Sequence, residues 1–229
     1  MTTTLKMLSS MATRQVLAEL VAAHAAAGGA ITTLEAVGGV DAARRVQDGE
    51  VLDVVVLASG AMDALAAAGK TVAGTQVGLV RSGIAVAVPA GSPHPDLCDA
   101  AAVRASVLAA PTIGYSTGPS GTHLLKTFER WGILETIRDR IVQATPGVPV
   151  ASMVADGRVA LGFQQLSELL NVPGIDIVGP LPEGVQLTTV FAAAVAATST
   201  QPEAARALIA FMASEAATPA KQRQGMEPA

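Results

Sequence analysis

Apolar residues in this chain follow two rhythms that alternate along its length. Short runs rich in β-branched residues predict strands, and stretches with apolar side chains three and four positions apart predict helices. Thr4 to Leu8 reads as a first strand. Ser9 to Thr13 turns into a helix whose Val16, Leu17, Leu20 and Val21 share a face, ending at Gly28 and Gly29. Ile31 to Leu34 suits a second strand and Asp41 to Gln47 a short helix. The run VLDVVVL over 51–57 is apolar enough to predict a parallel strand buried on both faces, ending at Ala58, Ser59 and Gly60. A helix over 61–68, a glycine-punctuated stretch to Arg81, and a strand from Ile84 to Val88 stopped by Pro89 follow.

The same alternation continues beyond a loop over 90–96. Helices are predicted over 99–109, 121–131, 148–156 and briefly from Gln165. Strands are predicted over 112–115, 141–143, 159–163 and 175–178. Thr188 to Ala197 then forms a long apolar strand, and Pro202 opens a last helical pattern carrying Ala205, Leu208, Ile209 and Met212. Strands alternating with helices predict an α/β protein with mostly parallel sheets. The strands near 84–88 and 188–197 are candidate crossovers. They predict two lobes with a cleft between them, one made of residues 1–83 and 190–229 and the other of 88–187.

A chain of 229 residues accommodates two such lobes, and half of its residues are hydrophobic, which supports a compact globule with an ample core. The net charge of −4, the absence of a basic run and the 3% aromatic content argue against nucleic acid as a partner. No apolar run approaches the ~18 residues of a membrane span. A single cysteine, Cys98, excludes an intrachain disulfide and a cysteine-based metal site, and it reads as a partly buried residue without special chemistry. No cluster of His, Cys, Asp and Glu has metal-ligand spacing, and no cofactor motif is present. The opening MTTTLKMLSS lacks the charged and apolar regions of a signal peptide. The expectation is a cytoplasmic protein, or a periplasmic one if a leader precedes this chain.

The richest candidate chemistry is GYSTGPSGTH over 114–123, between a predicted strand and a predicted helix. Small residues let backbone approach a ligand, while helix-start N–H groups and the hydroxyls of Ser116, Thr117 and Ser120, with Gly118 and Gly121, offer donors to an anion. The alternative is an ordinary glycine-rich turn. Ser9, Ser10, Ser59 and Gly60 fall at predicted strand ends, the edge where open α/β sheets bind ligands, and the serines are equally well placed to cap the helices that follow. Arg81 and Ser82 precede a crossover strand, where a guanidinium could grip a carboxylate or lie on the surface. Gln164 and Gln165 follow a predicted strand and either turn amides toward the same space or open a solvated helix. His24 and His94 read as surface residues. His123 falls in the first turn after the glycine loop, where the helix dipole favours a neutral imidazole able to exchange protons near pH 7.

In order, LKMLSSMATRQVLAELVAAH, DVVVLASGAMDALAAAG, SGIAVAVPAGSP, IGYSTGPSG, VADGRVALGFQQLSE, VFAAAVAATSTQPEAARALIAFMAS and the closing QGMEP resemble the molybdate-binding type 2 periplasmic binding proteins of ABC importers from end to end. The resemblance implies a two-lobed fold with a small anion between the lobes and, for an exported protein, an ABC permease as partner. The family's Ala-Ala-Ser-Leu is replaced by Ser9, Ser10, Met11 and Ala12, its second serine-rich turn by glycines around 37–40, and its tyrosine before a Ser-Asp pair by Gln165. The altered set looks more like the branch that includes aconitate isomerase. That branch implies a di- or tricarboxylate ligand and, as an alternative to passive binding, a cofactor-independent allylic proton shift in which His123 is the candidate base.

Overall fold

The computed structural model describes residues 4–145 and 147–229. The first three residues of the expected first lobe, and Pro146 of the second, lie outside the described residues. The chain divides into two compact units, one running to Ser82 and resuming over Thr189–Ala229, the other Gly83–Thr188.

In the first unit β1 (Thr4–Ser10) pairs in parallel with β2 (Ile31–Val37) on one side and β3 (Val54–Ala58) on the other, and β9 (Thr188–Val195) pairs antiparallel with β3. Four β-branched or leucine side chains in a row make β3 suitable for burial on both faces. Val54 and Val56 join a core with Val16, Leu17 and Leu20 of α1 (Arg14–Ala26) and Leu208, Ile209 and Met212 of α9 (Pro202–Ala213). Val55 and Leu57 pack on the opposite side against Val46 of α2 (Gly39–Gln47) and Met62 and Leu65 of α3 (Ser59–Ala67).

The expected strand over 51–57 starts later, at Val54, and Val51 is exposed. The interruption is Asp53. Its buried carboxylate accepts from Lys6 N at 2.9 Å and from Ser199 Oγ at 2.7 Å, while its backbone accepts from Ala196 N and donates to Lys6 O. One acid therefore ties the entry of β1, the entry of β3 and the exit of β9.

The last part of the glycine-punctuated stretch is strand: β4 begins at Val77 and spans 13 residues (Val77–Pro89). Its glycines mark close passages and not a loop. A Cβ on Gly78 would lie 3.0 Å from Ala229, beyond β10 (Glu227–Pro228), which pairs with Val80 and Arg81, and one on Gly83 would lie 3.1 Å from the Gln186 amide.

In the second unit β7 (Leu161–Gln165) pairs antiparallel with the later part of β4 and in parallel with β5 (Ile113–Tyr115), which pairs in parallel with β6 (Ile141–Gln143). β8 (Ile175–Pro180) lies antiparallel on the other side of β4. Phe163 and Ile113 pack with Val103 and Val107 of α4 (Ala100–Ala109), Leu124 and Phe128 of α5 (Pro119–Arg130) and Ile137 of α6 (Leu134–Ile137). The opposite face holds Val150, Met153 and Val154 of α7 (Val150–Ala155) and Leu169 of α8 (Leu166–Leu169).

Two single-residue expectations are corrected. His24 is buried, its ring 5.2 Å from that of Phe211, because Gly29 leaves it room: a Cβ there would come within 2.3 Å of the imidazole. Cys98 is exposed, and its thiol donates to Asp96, which holds its pKa above the ordinary value. Replacing Asp53 with Ala strands the Lys6 N–H and the Ser199 hydroxyl, so urea unfolding of Asp53→Ala is expected to show a loss of about 1–3 kcal/mol with an unchanged m-value.

Candidate functional site

Parallel strands joined by helices return every helix start to the carboxyl edge of the sheet. In the first unit Ser10 lies beside Val37 and Ser9 beside Val56, so β2, β1 and β3 end abreast. A 3-10 turn over Met11–Thr13 leads into α1, Gly38 leads into α2 and Ala58 into α3, and none of the residues preceding these turns makes a side-chain capping bond. Their first N–H groups and the positive ends of the helix dipoles collect at one edge.

Ser10, which precedes the first of these turns, makes no side-chain capping bond. Ser9 Oγ donates to Ser10 O at 3.2 Å, Thr13 Oγ1 donates to the same carbonyl at 3.2 Å, and the Ser10 hydroxyl lies 3.5 Å from that of Thr13. Ser59 is the first residue of α3, and its hydroxyl turns back to Val190 O at 3.2 Å. To face an anion, Ser9 or Ser59 must swing its O–H away from a carbonyl. A Cβ on Gly60 would meet nothing within 4 Å, so that helix start is open.

The second unit repeats the arrangement. Tyr115 pairs with Phe163 and with Gln143, so Ser116, Gln164 and Ala144 lie side by side where β5, β7 and β6 end. The Ser116 and Ser120 hydroxyls are 3.0 Å apart. One donates to the other, which leaves the second proton for a further acceptor. Thr117 is half-buried, and Gly118 precedes α5 in extended conformation without a side-chain cap. Gly121 has a packing role as well: a Cβ there would lie 1.7 Å from Ser116 O, so this glycine lets α5 close onto the loop.

Gln164 and Gln165 do not follow β7 as the sequence predicts. They are its last two residues, both buried. The Gln164 amide is fixed at both ends, Oε1 accepting from Ala151 N at 3.1 Å and Nε2 donating to Glu168 Oε2 at 2.8 Å. Glu168 was not singled out by sequence reasoning; the only sign of it is an acid four residues beyond a glutamine in an apolar segment. Burial pushes its carboxyl up to about 7, and the Gln164 hydrogen bond only partly offsets this.

His123 Nε2 lies 2.7 Å from Val185 O, and with the carbonyl accepting, that nitrogen carries the proton. Arg81 and Ser82 lie in mid-strand and not at a strand end. Arg81 is exposed and donates from Nε to Pro228 O at 3.0 Å, and Ser82 is buried. Among the described residues no three His, Cys, Asp or Glu side chains could hold a metal ion, and no helix is long and apolar enough to cross a membrane.

A family model described as bacterial extracellular solute-binding protein matches residues 5–227. An aconitate isomerase from Pseudomonas sp. is 38% identical over 185 residues, 80% of this chain and 70% of that protein. The structure of the Azotobacter vinelandii periplasmic molybdate-binding protein superposes with a TM-score of 0.80 at 18% identity, covering 97% of this chain and 98% of that one. The sulfate-binding protein of Mycobacterium tuberculosis H37Rv gives 0.75 at 17% identity, covering 99% and 87%. At such identities the two structures establish the shared two-lobed α/β fold.

Two predictions follow from this geometry. Gly121→Ala is expected to lower stability by about 1–3 kcal/mol as the loop gives way, whereas Gly118→Ala, with no atom nearer than Ser116 Oγ at 3.8 Å, should stay within about 0.5 kcal/mol in the same denaturation assay. The raised Glu168 pKa means that its contribution to stability is complete below the ordinary value of 4.5 and is lost as pH rises to about 7. The interval corresponds to roughly 3 kcal/mol. The stability of Glu168→Gln relative to the native protein should therefore increase between pH 4.5 and 7 and level off above.

Proposed function

We propose that this chain, which belongs to the family of bacterial extracellular solute-binding proteins, binds a small di- or tricarboxylate through donors at the carboxyl ends of its parallel strands. The observation that carries the anion class is the edge at which β2, β1 and β3 end abreast before helix starts that no side chain caps. Such starts present N–H groups and partial positive charge without requiring a lysine or arginine. The serine-paired loop before α5 adds hydroxyl donors of the same neutral kind. Ser9, Ser10, Ser59, Gly60, Ser116, Thr117, Gly118 and Ser120 are the proposed ligand contacts, with the Gln165 amide at the end of β7.

The polycarboxylate class is supported by the 38% identical aconitate isomerase, a nearer relative in sequence than the molybdate-binding and sulfate-binding proteins that share the fold. The same relative favours a second reading, in which the chain shifts a double bond within such a ligand as an isomerase. A passive receptor needs a permease to receive its ligand, whereas an isomerase needs only the site.

The test is a thermal-shift series with trans-aconitate, cis-aconitate and citrate against molybdate and sulfate. At 100 times its Kd a ligand adds about 2.7 kcal/mol, raising the Tm of a chain this size by roughly 5–10 °C. A shift is expected from a tricarboxylate. Shifts from the tetrahedral oxyanions alone would overturn the ligand class. Ser116→Ala with Ser120→Ala should weaken the carboxylate response about tenfold in Kd.

A further inference from the structure

We propose that Glu168 is the acid–base group that moves the proton in an allylic shift on a bound tricarboxylate, an inference that rests on the isomerase reading above. Its position is the first argument. α8 begins where β7 ends, next to Ser116 at the end of β5, and the bond from Ala151 N to Gln164 ties the same corner to the first turn of α7. Glu168 thus belongs to the edge of the second unit at which its parallel strands end.

The second argument is how Glu168 is held. Because the Gln164 carbonyl is committed to Ala151 N, the amide cannot reverse without losing that bond, and its NH2 faces Glu168 Oε2. That oxygen remains an acceptor in both protonation states, so a proton on Glu168 resides on Oε1. Gln164 acts as a positioning residue that fixes which oxygen exchanges the proton.

The surroundings complete the case. Next to Glu168, Leu169 of α8 packs with Ala85 and Ala87 on β4 and Ala151 on α7, an apolar cluster. Beyond α7, Asp156 and Arg158 pair with each other at the surface, and Asp176 of β8 accepts from Gly91 N. Burial raises the Glu168 carboxyl and the Gln164 hydrogen bond offsets this in part, so that at about 7 its acid and base forms are both populated near neutral pH. His123, the other candidate, has its Nε2 proton directed at Val185 O.

The chemistry balances without a co-reactant. Ionised Glu168 removes a proton from the methylene carbon next to the double bond, so that a C–H bond breaks and an O–H bond forms. The electron pair spreads over the allyl system and its attached carboxylates. Glu168 then returns a proton to the far carbon, the double bond moves by one position, and the carboxylate is regenerated.

The test uses the whole chain with trans-aconitate, following turnover by proton NMR and binding by calorimetry in the native protein, Glu168→Gln, Glu168→Asp and His123→Gln. Glu168→Gln is expected to lower kcat by ~10²-fold or more with Kd changed less than about threefold. Glu168→Asp should recover part of the rate. The native kcat/KM should fall on the acid side of about 7, a limb missing from the residual activity of Glu168→Gln. Turnover in Glu168→Gln within about tenfold of native, or its loss only in His123→Gln, would overturn this inference and leave the isomerase reading intact. Loss of binding together with turnover would make Glu168 a ligand contact and overturn its role as base. A native protein that binds trans-aconitate without converting it would overturn the isomerase reading, and this inference with it.

Discussion

A parallel strand has to be covered on both faces, and most of the remaining architecture follows from meeting that requirement twice. β3 sends Val54 and Val56 into one core and Val55 and Leu57 into another, so helices must lie on both sides of the sheet. Every crossover then brings the chain back to the same edge, where a strand ends and a helix begins. At that edge the N–H groups of helix starts gather without disturbing the cores. In both units serine and glycine residues of the loops are found there.

Two polar side chains of the interior join segments distant in sequence. Asp53 binds Lys6 and Ser199, and Gln186 accepts from Ile84 N and Leu187 N while donating to Ile84 O and Leu181 O. The net value of such bonds is only about 1 kcal/mol each, small beside the hydrophobic cores, but leaving one partner unmatched costs more. Their main effect is on register. A strand slipped by one residue against Asp53 or Gln186 would bury several unmatched donors at once.

The sequence was most readable where a pattern is local. The Val54 to Ala58 run, the helix faces carrying Val16 and Leu20 or Leu208 and Met212, and the serine-glycine loop after β5 all announce themselves within a few residues. What stayed hidden depends on partners far away. The first half of β4 looked like a loop because Gly78 and Gly83 make room for Ala229 and Gln186, the latter bonded to Ile84 across 102 positions. Gln164 and Gln165 read either as amides turned toward a ligand or as the start of a solvated helix, since nothing nearby shows that Ala151 N and Glu168 occupy both ends of one amide. Arg81 read equally as a carboxylate grip or a surface residue, and it is exposed with its guanidinium donating to the backbone of the carboxyl-terminal strand.

Cys98 gives the molecule a single chemical address. It is the only cysteine in the chain, it is exposed, and its thiol leans on Asp96, whose charge opposes thiolate formation. A fluorophore or spin label attached there marks one position in the second unit without any engineered substitution. The same acid that makes the thiol sluggish at neutral pH makes mild alkali the condition for labelling, and it slows stray oxidation of the purified protein during handling.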